Sequence, residues 1–389
     1  MLIDTLYNGV EIHRQEKILY ACFLKPHSIL STCPVAGGLR FDLTCVYNHQ
    51  SCEPAGHSKR LSAQPCDDPH SYRRTICAQY GLPAEQCATL GTAANMHNAC
   101  IAQQQFRDLT VAAICTGGVD ANAGRVGDPA TVVETATGFE SLTGATAVPG
   151  PGTINTMVFI SRSLTPGALT RCVMTATEAK VAVLQELAVN SRYSDGLATG
   201  TGTDQIAVAA LENDEVPLTS SGKHVKLGEM IGRAVYEATK QSLARQNQLT
   251  PISQCSAKIH LERFGLNRIG MQDMICAFLD QELAALLRSN FLAIERDPLT
   301  VAAVAALVHL RDKISWGVLP QTCQQEIMAA HAAQVACAVS GQYERLAAYR
   351  EQLATSAATE DNHAFLMLAC RALALGFADK WSVLTAASL

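Results

Sequence analysis

Leu109-Thr110-Val111-Ala112-Ala113-Ile114-Cys115 runs directly into Thr116-Gly117-Gly118-Val119-Asp120-Ala121-Asn122-Ala123-Gly124, and the reading of this stretch decides the fold. A short apolar run closed by Gly117-Gly118 predicts a buried strand that feeds a loop. Outward from it, residues 18–23, 41–47, 153–160 and, more weakly, 206–210 read as further strands bounded by turn residues. Residues 166–189 read as a helix, with Thr165 as N-cap and Pro166 at the first helical position. Leu169, Val173, Ala176, Val183 and Leu187 form its apolar stripe. Residues 223–245 form a second helix, with Leu227, Ile231, Ala234, Val235, Ala238 and Leu243 on the buried side. Near residue 250 the composition changes: glycine and β-branched residues thin out and helical periodicity takes over. The tail reads as four or five helices, one opened by Asp297-Pro298 and two others capped by Thr322 and Asp361. The expected architecture is α+β, a mixed sheet with helices over residues 1–248, followed by an all-α domain over residues 249–389.

Composition narrows the function classes. The chain has 389 residues, with 30 Lys+Arg against 35 Asp+Glu and a net charge of −5. That balance argues against a nucleic-acid partner, and 5% aromatic residues argue against stacking platforms for single strands. At 48% hydrophobic and 17% charged residues the chain is globular rather than disordered. The first two dozen residues carry Asp4, Glu11, Arg14, Glu16 and Lys17, which breaks any targeting pattern. The longest apolar run, residues 299–310, is far short of the roughly 20 residues that span a bilayer. No membrane partner and a cytoplasmic location are expected.

Fifteen cysteines, an odd number with no Cys-x-x-Cys pair, argue against a disulfide framework and against a zinc ribbon. Free buried thiols are the favoured reading. Cys45, His49, Cys52, His57, Cys66 and His70 form a denser stretch that offers soft metal ligands as an alternative. No metal site is expected there, because closely spaced ligand pairs are missing.

Four clusters carry candidate chemistry: residues 116–124, 151–156, 175–180 and 198–204. They gather hydroxyls, carboxamides, two carboxylates and an amine at the ends of elements, a set suited to an amide-rich ligand or to activating water. Asp204 and Glu178 are the general-base candidates, and Asn122 and Asn155 the candidates to steady an oxyanion. Thr153 and Thr203 are candidate nucleophiles that need an adjacent base. Glu178 and Lys180 are two apart on their helix and point to different sides. The bland readings stand beside these. Gly-Thr-Gly-Thr is often only a turn, Glu178 a solvated helix residue and Lys180 a structural ion-pair partner. The glycine-rich segment 117–152 reads equally as a ligand-approaching loop or a surface excursion. Residues 200–204 also suit a phosphate, although the P-loop and Rossmann spacings are absent.

In order, Thr-Gly-Gly-Val-Asp-Ala-Asn-Ala-Gly (116–124), Gly-Thr-Ile-Asn (152–155), Ala-Thr-Glu-Ala-Lys (176–180), Ala-Thr-Gly-Thr-Gly-Thr-Asp (198–204) and Gly-Lys-His-Val-Lys-Leu-Gly-Glu (222–229) resemble one family. It is the adenosylcobinamide amidohydrolase family of corrinoid salvage, and the resemblance covers roughly residues 1–245. It implies hydrolysis of the amide that joins the aminopropanol arm to the corrin ring, giving adenosylcobyric acid, with pseudocobalamin as a possible further substrate. The corrinoid brings its own cobalt, so no protein-bound metal or other cofactor is expected. Asp204, Glu178, Asn122 and Asn155 are the catalytic candidates. Gly117, Gly118, Thr153, Lys180, Thr201, Gly202, Thr203, His224 and Lys226 are the substrate-binding candidates. The family pattern near residue 117 usually reads Thr-Ala-Gly, where this chain has Thr-Gly-Gly, and the tail has no counterpart. The tail is expected to pack on the first domain, to self-associate into a homo-oligomer or to bind a partner. Two other classes compete: a corrinoid carrier, which lacks here the Asp-x-His-x-x-Gly context for an axial histidine, and a Cys/His metal or redox protein.

Overall fold

The computed structural model describes residues 1–52, 68–136, 138–142, 151–212, 216–356 and 361–386. His57 and Cys66 of the Cys/His stretch, and Gly144 and Gly150 of the glycine-rich segment, lie outside them. The chain divides into two compact units, Met1–Thr250 and Pro251–Leu389. The first is α+β and the second is helical.

In the first unit the strands are β1 (Leu2–Leu6), β2 (Val10–Gln15), β3 (Ile18–Phe23), β4 (His27–Ser31), β5 (Gly38–Arg40) and β6 (Cys45–Gln50). Helix α1 (Pro69–Tyr80) leads to β7 (Cys87–Thr92), β8 (Cys100–Phe106) and β9 (Leu109–Gly117). The short β10 (Ala123–Gly124) and the hairpin β11 (Val132–Thr135) and β12 (Gly138–Ser141) precede β13 (Ile154–Ile160). Helix α2 (Pro166–Glu186), β14 (Gly200–Thr201), β15 (Gln205–Leu211) and α3 (Lys226–Asn247) complete the unit.

Two sheets form, one ordered β1-β2-β3-β6-β7 and the other β5-β4-β15-β13-β9-β8. All neighbours in them are antiparallel except β6–β7 and β13–β15. Each parallel pair is joined by a crossover that carries a helix, α1 in one case and α2 in the other, as parallel pairing requires. The sheets face each other: Leu19, Ala21, Val46 and Leu90 of one meet Ala112, Ile114, Met157 and Phe159 of the other. Val111, Ala113, Cys115, Val158 and Ile160 on the opposite face are covered by Leu169, Cys172 and Ala176 of α2 and Ile231, Ala234 and Val235 of α3. The outer face of the first sheet, through Ile18, Cys45 and Tyr47, packs on Ile76 and Cys77 of α1. Four layers result, helix, sheet, sheet and helices. β9 is buried along its whole length because both of its faces are covered, which is why its sequence is an unbroken apolar run.

Departures from the sequence reading have local causes. The strand expected at residues 41–47 begins at Cys45 and runs on through Asn48, His49 and Gln50, all buried. Phe41 is exposed, in a bend where Arg40 pairs with Asp42 at 2.6 Å. Helix α3 starts three residues later than expected, after a turn over residues 223–225. Thr165 caps α2 as expected, accepting from the Ala168 amide.

The second unit contains short helices at Pro251–Gln254 (α4) and Ala257–Glu262 (α5). Longer ones follow at Arg268–Cys276 (α6), Gln281–Glu295 (α7), Pro298–Ser315 (α8), Gln324–Ser340 (α9), Leu346–Ala354 (α10) and Asn362–Ala386 (α11). Among the described residues these exceed the four or five expected. Gly265, Gly317 and Gly341, each at positive φ, lie in the breaks between consecutive helices. Asp297 and Asp361 cap as expected, accepting from the amides of Thr300 and Ala364. Thr322 does not: it lies inside a 3₁₀ turn, and α9 begins behind Cys323. Among the described residues no helix is long and apolar enough to cross a membrane.

Helices α9 and α11 meet through Ala329, Ala332, Ala333 and Ala336 against Ala369, Ala372 and Gly376. A Cβ at Gly376 would lie 2.7 Å from the Val339 Cβ and would collide with the Ala336 carbonyl oxygen. Gly376→Ala should therefore destabilise this unit by about 1–3 kcal/mol through overpacking, despite the better helix propensity of alanine. Both tryptophans, Trp316 and Trp381, lie in this unit, so denaturant unfolding followed by tryptophan fluorescence reads it directly.

Candidate active site

A cavity of about 220 Å³ opens at the rim of the first unit, where β6, β7 and β9 end and β13 and β15 begin. Ser51 and Cys52 follow β6 into its wall, and Gly91, Thr92 and Ala93 enter from the end of β7. Asn122, Gly152, Thr153, Thr203 and Gln205 form the opposite side, with Tyr72 of α1 at its edge. Three of the five family-like motifs, residues 116–124, 152–155 and 198–204, are thereby brought together.

The Asn122 amide group donates to the Gly152 carbonyl at 2.9 Å, and its oxygen accepts from the Tyr193 hydroxyl at 2.6 Å. The Thr203 hydroxyl donates to the same Gly152 carbonyl at 2.9 Å and is in close contact with the Thr153 hydroxyl. Gly118 supports this turn, its amide donating to the Thr153 carbonyl at 3.0 Å. At Gly152 a Cβ would lie 2.8 Å from the Gly118 carbonyl oxygen, so the close approach of the two loops requires glycine. Gly202 lies near the Asn122 carboxamide oxygen. Gly117 does not reach the cavity; it packs against Leu243 of α3.

Asp204 sits behind the cavity wall with every acceptor position engaged. One carboxylate oxygen accepts from the Ile154 amide at 2.9 Å and the Thr201 hydroxyl at 2.5 Å. The other accepts from the Thr201 amide at 3.0 Å and from Lys180. The pair is largely buried, with side-chain exposures of 13% for Lys180 and 16% for Asp204. A Cβ at Gly200 would collide with both partners. With four donors on the carboxylate its acceptor positions are filled in this arrangement, and Asp204 does not itself line the cavity.

Asn155 lies under the floor, 1% exposed. Its amide group donates to Asn48 and to the Gly91 carbonyl, each at 2.9 Å, and so is not free to hold an oxyanion. Asn48 in turn donates to the Thr116 hydroxyl at 2.8 Å. Asn155 thus fixes the cavity-lining Gly91 from beneath.

Glu178, His224 and Lys226 stand apart from the cavity. Glu178 is exposed, pairs with Lys223 at 2.7 Å and lines a separate groove between α2 and α3. His224 lies exposed in the turn before α3. Lys226 pairs with Glu229 at 2.9 Å and covers the Phe106 ring. The reason is helical phase: Lys180 faces inward to Asp204, so Glu178, two residues away, faces outward.

The sequence reading missed Tyr72, Gln205 and Tyr193, and took His49 only as a metal candidate. His49 and the Tyr72 hydroxyl are 2.5 Å apart through Nδ1. Burial, and secondarily the Lys17 charge, push the His49 pKa down to about 4, while burial pushes the Tyr72 phenol up. Both are neutral at pH 7. No local pattern marks the pair, because Tyr72 comes from α1 and His49 from β6. Among the described residues no three His, Cys, Asp or Glu side chains are grouped to hold a metal ion.

Two outcomes follow from this geometry. Lys180→Met should leave Asp204 buried without its counter-ion and destabilise the first unit by about 3–5 kcal/mol. Adding Asp204→Asn should recover part of that loss, which hydrogen exchange on residues of the first unit measures. His49 is neutral when folded, so below its unfolded pKa of about 6.5 the unfolded chain binds the extra proton. Its stabilising contribution is complete above that pH and is lost as pH falls toward about 4, at about 1.4 kcal/mol per pH unit. His49→Gln should flatten that slope in acid unfolding.

Comparison with known proteins agrees with the resemblance. The profile of the adenosylcobinamide amidohydrolase family, CbiZ, matches residues 3–251. The uncharacterised protein MJ1613 of Methanocaldococcus jannaschii is 35% identical over 182 residues, 46% of this chain and 71% of that protein. Among solved structures, the PH0078 protein of Pyrococcus horikoshii aligns over 61% of this chain and 83% of its own. At a TM-score of 0.30 and 10% identity, that alignment is too low to establish a shared fold. The profile match spans the unit that carries the cavity, and through it this chain belongs to the adenosylcobinamide amidohydrolase family.

Proposed function

We propose that the first unit hydrolyses the amide between the aminopropanol arm and the corrin ring of adenosylcobinamide, releasing adenosylcobyric acid and aminopropanol. The observation that carries this reading is the cavity itself, small, lined by uncharged donors and acceptors, and built from the family motifs. Its volume of about 220 Å³ suits a short amide-bearing arm and not a corrin. The ring and its cobalt stay at the mouth as part of the substrate, and the protein supplies no cofactor. The cytoplasm is the compartment proposed for this reaction.

Within the cavity, Asn122 and the Gly152-Thr153 turn face the scissile carbonyl, and the second Asn122 amide hydrogen, held only by a long 3.5 Å contact to the Thr203 hydroxyl, turns to steady the oxyanion. The Thr153 and Thr203 hydroxyls orient the attacking water. Tyr72, held by neutral His49, places a phenolic proton beside the leaving nitrogen. Burial raises its pKa, so the phenol is protonated at neutral pH, and the carboxylic acid product returns the proton it gives. Asp204 and Lys180 act through Ile154 and Thr201, which fix the rim.

The test is a product assay. Purified protein incubated with adenosylcobinamide should yield adenosylcobyric acid by mass spectrometry. Intact substrate that co-elutes with the protein would instead identify a carrier. Asn122→Ala should lower kcat/KM by about 10²–10³-fold, the usual cost of one oxyanion donor. Glu178→Gln, outside the cavity, should leave it within about twofold. Equal loss in both variants would overturn the assignment of the reaction to this cavity.

A further inference from the structure

Outside the cavity, the outer face of the first sheet carries a ladder of thiols that amide hydrolysis does not use. Cys22 on β3 pairs across the sheet with Cys45 on β6, and Cys45 pairs with Cys87 on β7. Cys77 of α1 packs over Cys45 and Cys87.

The register decides which of these pairs can close. In the antiparallel β3–β6 ladder the Phe23 amide donates to the Thr44 carbonyl at 2.9 Å and the Gln50 amide to the Lys17 carbonyl at 2.8 Å. Hydrogen-bonded positions alternate along such a ladder, so Cys22 and Cys45, one step from Phe23 and Thr44, form a non-hydrogen-bonded pair. At such a pair the Cα atoms are about 4.5 Å apart and the side chains are at their closest, within the range a disulfide spans. The neighbouring Cys45 holds the Cys22 thiol below its usual range, and Cys22 together with Cys87 and burial holds Cys45 well above it. Access is asymmetric: Cys22 is half-buried, whereas Cys45, Cys77 and Cys87 are buried.

We infer that Cys22 and Cys45 form a thiol–disulfide exchange site that takes a small-molecule disulfide at Cys22 and closes to a cross-strand disulfide. The Cys22 thiolate attacks one sulfur of the incoming disulfide, forming a mixed disulfide and expelling one thiolate. The Cys45 sulfur then attacks Cys22, the second thiolate leaves, and the Cys45 proton passes to it. Two protein thiols are oxidised and one small disulfide is reduced to two thiols. The product bridges β3 to β6, the strand that carries Asn48 and His49 and leads into Ser51 and Cys52 of the cavity wall. The site is independent of the reaction assigned to that cavity.

The probe is oxidised glutathione, applied to the reduced full-length protein under native conditions, followed by alkylation and peptide mapping. A Cys22–Cys45 cross-link is expected in the wild type. Exposed Cys323 should carry only glutathione and reports that exchange took place. Cys45→Ser should trap glutathione on Cys22. Cys22→Ser, at the half-buried position, should slow the loss of free Cys45 by at least about tenfold. Free Cys22 alongside glutathionylated Cys323, or a Cys45–Cys87 cross-link that forms equally fast in Cys22→Ser, would overturn the inference.

Discussion

The Asp204 carboxylate joins three segments that are distant along the chain: the start of β13 through Ile154, the short strand β14 through Thr201, and the middle of α2 through Lys180. β13 and β15 are parallel neighbours, so their N-terminal ends lie side by side, and only a group at that end can clamp both. A carboxylate does this because it accepts from four donors at once and carries the charge that brings Lys180 inward. With the clamp in place, Thr153 and Thr203 are held against each other, and Gly152 is close enough to accept from both Asn122 and Thr203.

Around that clamp the architecture sets where polar groups are tolerated. Two stacked sheets bury both faces of β6, β9 and β13, yet β6 ends in Asn48, His49 and Gln50. These are buried polar side chains with partners: Asn48 with Thr116 and Asn155, His49 with Tyr72, Gln50 with the Cys52 carbonyl. Together they form the polar floor beneath the cavity. The same sheet places Cys22, Cys45 and Cys87 in one row on its other side, under α1. One strand, β6, therefore borders the cavity at its end and the row of thiols at its start.

The sequence was legible where a residue's role depends on its immediate neighbours. Thr165-Pro166 and Asp297-Pro298 marked helix starts because capping is completed within a single turn. The apolar run at β9 marked a doubly covered strand, and the change of composition near residue 250 marked where sheet structure stops. The motifs containing Asn122, Thr153 and Thr203 marked cavity residues because glycine-rich turns between elements are where backbone and ligand approach. β6 was misplaced because its buried polar residues resemble the end of a strand.

The sequence by itself determined the α+β and helical division, the family and the residue types available for chemistry, because periodicity, caps and ordered motifs are local properties of the chain. Tertiary structure alone decided which of those residues meet. Helical phase sent Lys180 inward and Glu178 outward. Parallel pairing put residues 152–155 beside residues 203–205. Packing of α1 on the first sheet brought Tyr72 to His49. Each of these depends on contacts between segments tens of residues apart, and no local pattern encodes such distances.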